Sequence, residues 1–298
     1  MFIVNNKKIF IGISIVLAIL SLASIFIFGL NTGIDFKGGA LTEVNYTAAR
    51  PEQGVLTSAL ENLGYGGALV QPTGENGYII KTRDLSESEH NALLATLSNG
   101  GLYPLEEKSF NSIGPSVGAE LTRKAIIAII LVSLAIIMFI AYAFRKVSKP
   151  VSSWRYGLIA ITSLLHDVII PVGIFTALSH FYGAEVDTLF VVAVLTILGL
   201  SVSDTIVIFD RIRENLKNKP DADFKQTVGV SVEQSYQRSI ATSLTVILVL
   251  LSLVFFGPES TKYFALMLTA GMFFGTYSSI FLASPLLVWV KEQQDKRA

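Results

Sequence analysis

The sequence predicts a polytopic α-helical membrane protein: six transmembrane helices, with one extracytoplasmic α+β domain between the first and second. Three observations carry this. Charged residues are only 15% of the chain and hydrophobic ones 51%, at a mean hydropathy of +0.57, whereas a soluble domain has roughly 25% charged residues. Six apolar stretches each approach or exceed the ~20 residues that a hydrocarbon core of about 30 Å requires. One long segment between the first two instead carries the order β-α-β-β-α-β.

The stretches are 9–30, 125–144, 156–181, 188–209, 239–256 and 263–290. The first follows Lys7 and Lys8, as a signal peptide would. Its uncharged run outlasts an h-region of about 7–15 residues, so it reads as an uncleaved anchor. The fifth is the shortest and is expected to begin a few residues earlier. Orientation follows from the basic residues of short loops. With the N-terminus inside, the inner segments hold Lys7, Lys8, Arg145, Lys146, Lys149, Arg155, Arg211, Arg213, Lys217, Lys219, Lys225, Arg238, Lys291, Lys296 and Arg297. The two short outer loops hold only Lys262. Both termini are therefore cytoplasmic. The expected organisation is 1–30 for the N-terminus and first span, 31–124 for the outer domain, 125–290 for spans two to six, and 291–298 for the tail.

In the outer segment, 40–47 is rich in strand formers. Pro51 opens a helical pattern with Val55, Leu56, Ala59, Leu60 and Leu63 on one face. Two strands, 68–73 and 78–83, flank Gly74-Glu75-Asn76-Gly77, a hairpin signal with Asn-Gly at its centre. Ser86 and Glu89 form a capping box ahead of a helix carrying Leu93, Leu94 and Leu97. The last strand, 102–113, has Pro104 near its start, where an edge strand tolerates it. This order is a ferredoxin-like split βαβ (βαββαβ) sandwich. His90 reads as a solvated residue on a polar helix face, and nothing in the domain looks catalytic.

Composition also excludes classes of function. The net charge is zero and no basic patch interleaves with aromatics, which argues against nucleic-acid binding. Without cysteine there is no disulfide framework, thiol catalysis or Cys-type zinc site.

Polar residues inside the spans are the functional signal. Asp204 interrupts the apolar run TLFVVAVLTILGLSVSDTIVIF, where a carboxylate costs at least ~2.5–3.5 kcal/mol. The third span carries His166 and Asp167 near mid-membrane, with Pro171 four residues later predicting a kink. Ser201 lies three residues before Asp204, on the same helical face. Arg238 opens the fifth span, with Thr242 and Thr245 at helical spacing behind it. Arg238 and Asp204 are expected at similar depth near the cytoplasmic side. Burial favours a neutral carboxyl and a nearby guanidinium favours a charged one. A pair whose separation changes can therefore take up and release a proton, and each charge crossing 100 mV is worth about 2.3 kcal/mol. The alternative is a static buried pair that locks helices together. Asp210, Arg211, Arg213 and Glu214 read as a solvated helix end. Gly271, Gly275, Ser279 and Ala283 form a small-residue ridge for close helix approach, or the lining of a cavity.

Four strings resemble one family. NTGIDFKGG at 31–39, IGPSVGAEL at 113–121, LHD in the third span and SDTIVIFDRIREN at 203–215 are similar to the SecD/SecF family, its SecF branch, within the resistance-nodulation-division superfamily. The resemblance covers essentially the whole chain. It implies use of the proton-motive force to draw polypeptides through SecYEG across the cytoplasmic (inner) membrane after SecA has pushed them in. It further implies SecD as partner subunit, with YajC as another component, unfolded preprotein as substrate and lipid as surroundings. No cofactor, metal or catalytic residue follows from it. The family's membrane aspartate maps onto Asp204 and its arginine onto Arg238, with Asp167 as the further coupling candidate. His166, Ser201, Ser203, Thr242 and Thr245 are auxiliary. Ser203 is a departure, since the family commonly has asparagine there, and SIATSLTV is less threonine-rich than usual. Gly33, Asp35, Gly38 and Gly39 belong to the family motif, either as a hinge, since paired glycines tolerate φ > 0, or as tight packing beneath the domain. A SecD-like partner is expected near the small-residue ridge or the fourth span.

Three rivals stand beside this reading. An efflux transporter would carry larger outer domains and twelve spans in one chain. An aspartyl protease using Asp167 and Asp204 would need carboxylates that share a proton, yet their depths differ by about 8 Å. A passive translocon scaffold is separated least well by sequence.

Overall fold

Where no water reaches the backbone, a chain must satisfy its own hydrogen bonds, so long apolar runs fold as helices. The computed structural model describes residues 1–143, 151–218 and 223–296. Phe144, Arg145, Lys146, Lys149, Lys219 and Arg297 lie outside the described residues. In chain order the elements are α1 (Phe2–Asn5), α2 (Lys7–Phe28), α3 (Ile34–Lys37), β1 (Gly39–Tyr46), α4 (Gln53–Asn62), β2 (Leu69–Thr73), β3 (Gly77–Thr82), α5 (Glu87–Leu97) and β4 (Leu105–Ile113). Then follow α6 (Pro115–Ala143), α7 (Ser153–Tyr182), α8 (Thr188–Asn218), α9 (Phe224–Phe256), α10 (Glu259–Ser278), a π-helical segment (Ser279–Ala283) and α11 (Ser284–Asp295). Among the described residues six helices are long and apolar enough to span: α2, α6, α7, α8, α9 and the continuous stretch Glu259–Asp295.

The fifth span starts much earlier than its apolar run. Asp223 caps α9 by accepting from the Gln226 amide at 2.9 Å. Thr227, Ser231 and Ser235 then continue a buried stripe through its polar first half. Small hydroxyl residues keep the helical period there while hiding the span from a hydropathy reading.

The chain forms two compact units, one of Met1–Asn31 with Ile127–Ala298 and one of Thr32–Ile126. In the second unit the sheet order is β2-β3-β1-β4, all neighbours antiparallel. Each helical crossover thus skips one strand, the split βαβ arrangement. Alternate β1 residues Ala40, Val44 and Tyr46 join Leu56, Leu60, Tyr78, Ile80, Leu93 and Leu97 in the buried core. A register shift between Glu43 and Val44 marks a bulge against β4. Ser86 and Glu89 make the reciprocal capping box. Tyr46 donates to the Leu97 carbonyl at 3.1 Å, and burial, aided by Tyr78, pushes its hydroxyl up to about 12.

Two details of this unit differ from expectation. His90 is only partly solvated: its ring stacks on Phe110 at 3.7 Å and Nε2 meets Glu107 Oε1 at 2.9 Å, joining α5 to β4. The GIDFKGG string forms the short helix α3, with Gly33 as its extended N-cap and Asp35 in its first turn. Gly38 and Gly39 end it at φ of 81° and 137°. A Cβ on Gly39 would lie 2.8 Å from the Thr82 carbonyl oxygen, and one on Gly38 3.0 Å from Pro115 Cα. These glycines are packed tightly against backbone.

In the helical unit, α7 continues through Pro171, which lines an apolar cavity of about 390 Å³ with Phe175, Ile247 and Met267. The small-residue ridge of α10 faces α8. A Cβ on Gly271 would meet Ile197 Cγ1 at 2.2 Å, one on Gly275 would meet Ser201 Cβ at 3.4 Å, and Ser279 bonds Thr205. The ridge is consumed inside the chain, so it is not a seam for a second subunit.

Candidate functional site

Side chains four residues apart lie on one helical face, and α7, α8 and α10 each turn a hydroxyl-bearing face toward the others. Asp167 of α7 sits where they meet, with no exposed surface. Its Oδ2 accepts from Ser278 Oγ at 2.6 Å and from Ser201 Oγ, while Oδ1 lies 2.9 Å from His166 Nδ1. Ser163, one turn earlier on α7, donates to Ser278 Oγ at 2.9 Å. Next along, Thr205 and Ser279 share a hydroxyl contact of 2.8 Å, and Ser284 donates to the Ser279 carbonyl at 3.1 Å. The π segment therefore begins inside the polar cluster. A π-bulge is rare and concentrates at functional positions.

Asp204 is half-buried one turn further along α8. Thr276 donates to its Oδ2 at 3.2 Å and also contacts the Ser243 hydroxyl. Ser239 approaches the same carboxyl, but its buried hydroxyl completes no bond of normal geometry. α10 thus reaches each carboxyl with one hydroxyl, Asp204 with Thr276 and Asp167 with Ser278. Among the described residues no group of three metal-ligating side chains occurs.

The expected partnership with Arg238 is not seen. Arg238 is exposed and forms no ion pair with Asp204 among the described residues. Thr242 and Thr245 are exposed too, and Thr245 donates back to the Ala241 carbonyl at 2.8 Å. The reason is phase: Ser235, Ser239 and Ser243 form the buried stripe of α9, and a shift of one residue turns the face by about 100°. Ser203 is likewise exposed, and Ser201 serves Asp167 rather than Asp204.

Asp167, His166 and Ser201 are thus joined by hydrogen bonds and Asp204 is bonded separately by Thr276, while Arg238, Ser203, Thr242 and Thr245 are exposed. Sequence reasoning missed Ser163, Thr205, Ser239, Ser243, Thr276, Ser278 and Ser279. Four-residue hydroxyl spacing on α8 and α9, and Ser163 four residues before Asp167 on α7, was the available signal.

Chemically, a carboxylate only accepts, whereas a hydroxyl both donates and accepts. Two carboxyls, each held by hydroxyls and one of them flanked by an imidazole, are groups that can take up and give back a proton.

Comparison with known proteins bears on the same residues. The sequence pattern described as "Protein export membrane protein SecD/SecF, C-terminal" matches residues 96–293, and the "SecD/SecF GG Motif" matches residues 23–49. The protein translocase subunit SecF of Thermobaculum terrenum is 42% identical over 297 residues, covering 96% of this chain and 92% of that protein. The one from Anaerolinea thermophila is 35% identical, covering 96% and 93%, and that of Pseudomonas aeruginosa 32%, covering 95% and 89%. The crystal structure of SecDF, a translocon-associated membrane protein from Thermus thermophilus, superposes with a TM-score of 0.81 at 30% identity. It covers 97% of this chain but 38% of that one. A super-membrane-facing form of SecDF gives a TM-score of 0.69 at 31% identity, covering 98% and 39%. The chain spans less than two fifths of the solved SecDF chains.

Proposed function

This chain belongs to the SecD/SecF family of protein-export membrane proteins, as a SecF-like member, and from that premise we propose that it couples proton movement to polypeptide export. Asp167 and Asp204 carry the proton in this reading, the first held by the Ser201 and Ser278 hydroxyls and the second by that of Thr276. Arg238 supplies a cation that approaches Asp204 in another conformation of the cycle. The observation that carries the reading is the wholly buried Asp167, whose two oxygens are both occupied by protein groups. Keeping a carboxyl in hydrocarbon is expensive and is retained where ions move.

The coupling half is proposed to work beside a SecD-like partner, as in other repeat-built carriers, against the SecYEG translocon, with SecA upstream and YajC as a further component. Only 6% of the apolar stretch of α6 is buried within this chain, which supports a partner subunit or lipid against that helix. The basic residues of the short loops support a cytoplasmic-membrane orientation with both termini inside and Thr32–Ile126 outside. The role is transport, with no bond made or broken.

Co-reconstituted with a SecD-like subunit and the translocon, Asp167→Asn and Asp204→Asn should each remove the gradient-dependent part of reporter export and leave the ATP-driven part. Export equal to wild type at every imposed gradient in both variants would sink the reading.

A further inference from the structure

His166 Nδ1 lies 2.9 Å from Asp167 Oδ1. When Asp167 is ionised its oxygens only accept, so a neutral ring then carries its hydrogen on Nδ1 and turns a lone pair outward at Nε2. His166 is 5% exposed, and its Nε2 has no hydrogen-bond partner among the described residues. One more buried orphan lies nearby. Ser14 of α2 is 1% exposed, and its Oγ is also unpartnered.

The packing of α2 on α7 brings these two atoms to one level. Both helices run the same way, because Ser21 meets Gly173 and, further along each, Phe28 stacks on His180 at 4.4 Å. Ser14 and His166 each lie about two helical turns before the Ser21–Gly173 contact. A serine inside a helix ordinarily satisfies its hydroxyl on the carbonyl one turn earlier. For Ser14 that carbonyl is Phe10's, which accepts from the Tyr277 hydroxyl at 3.5 Å instead. The Tyr277 ring in turn stacks on His166, with centroids 6.2 Å apart. One helix thus offers a free hydroxyl and the next a free imidazole nitrogen, with an aromatic ring closing the third side.

We propose that His166 is the proton port to Asp167, entered at Nε2, and that Ser14 is the positioning residue that holds the donating water there. This deepens the coupling role proposed above and rests on it. Two buried groups that can each bond a water make a polar site of the kind buried waters fill. The step balances as a relay. A hydronium gives its proton to Nε2, the Nδ1 hydrogen passes to Asp167 Oδ1, and water is left at the port. The carboxyl is then neutral, and Nδ1 accepts from it. Release runs the same path backward or on through Ser201 and Ser278. Around His166 the titratable groups are Asp167 on its own helix and Tyr277 on α10, while α2 brings only the Ser14 hydroxyl. From α8 come Ser201 and, beyond it, Asp204.

The test uses the full chain with its SecD-like partner in vesicles. A positioned proton-transfer group contributes roughly 10²–10⁴-fold to rate, so His166→Asn should slow gradient-driven export by at least about tenfold. Ser14→Ala should slow it by a smaller factor, and Ser14→Thr should restore it. Nitrogen-15 NMR of the labelled histidine should show Nδ1 protonated, Nε2 titrating, and the Nε2 signal shifted by Ser14→Ala. If both aspartate variants lose coupling while His166→Asn and Ser14→Ala keep it, the relay is wrong and the parent reading stands. If the aspartate variants also keep it, the parent reading falls. Should His166→Asn fail to assemble, an Nε2 signal that neither titrates nor responds to Ser14→Ala overturns the proposal.

Discussion

Each unit of the molecule holds a histidine against a carboxylate, and the two pairs answer to opposite solvents. In the sheet unit, His90 and Glu107 keep 13% and 28% of their side chains exposed, so water completes what the protein leaves open. In the helical unit, His166 and Asp167 keep 5% and 0%, and protein hydroxyls occupy the carboxylate instead. The same contrast runs through the hydroxyl residues. Thr57, Ser58 and Thr96 of the sheet unit bond carbonyls of their own helices. Ser163, Ser201, Thr205 and Ser243 of the helical unit bond across to other helices. Where water is at hand, polar side chains decorate the rim. Where lipid is the solvent, outer ones such as Thr162, Thr196 and Thr245 still close on their own helices, and those at the centre tie helices to one another.

The sharpest way to break this contrast is Asp167→Ala, which strands Ser201, Ser278 and His166 together. Losing one partner of a buried pair costs about 3–5 kcal/mol, so thermal unfolding of the purified protein in detergent should show a loss of that size. The matching change in the sheet unit, Glu107→Gln, should cost below about 1 kcal/mol, as exposed pairs do. Equal losses in the two variants would erase the distinction.

Between these lies a purely steric change. Gly39→Ala forces a side chain into φ of 137° with its Cβ 2.8 Å from the Thr82 carbonyl oxygen. Overpacking of this kind costs about 1–3 kcal/mol. Amide exchange in β1 and β3 should rise, while exchange in α7 and α8 stays as in wild type.

The smallest effect is electrostatic and belongs to the watery side. Arg83, then Ser86, hold the Glu89 carboxyl down at about 2, against an ordinary value of 4.5. Its contribution is complete above about 4.5 and is lost as pH falls toward about 2. Amide exchange of α5 should therefore speed up over that window, and Glu89→Gln should flatten the dependence. A pH profile identical in the variant would remove Glu89 from the account.

Much of this was legible in the sequence, for physical reasons that differ by region. Strand alternation and the Ser86–Glu89 capping box located the sheet unit's elements to within a few residues, because those signals are local. Asp167, His166, Ser201 and Asp204 stood out because polar groups are rare in apolar runs. Thr242 and Thr245 lie off the buried face because α9 carries two polar stripes, and only packing decides which one turns inward. Ser278 and Thr276 were hidden in GMFFGTYSS, where hydroxyls sit beside large aromatics. His90 was misjudged because its partner, Glu107, lies on a strand that only the tertiary fold brings alongside.

The π segment at Ser279–Ala283 has a further mechanical meaning. Accommodating one additional residue in a helix re-aims everything after it by about 100°. The orientation of Leu287 and Val288, both buried, depends on that extra residue. Deleting a single residue there would spin the C-terminal rod like a misthreaded screw, turning its greasy side outward and its basic end sideways, with every helix still intact.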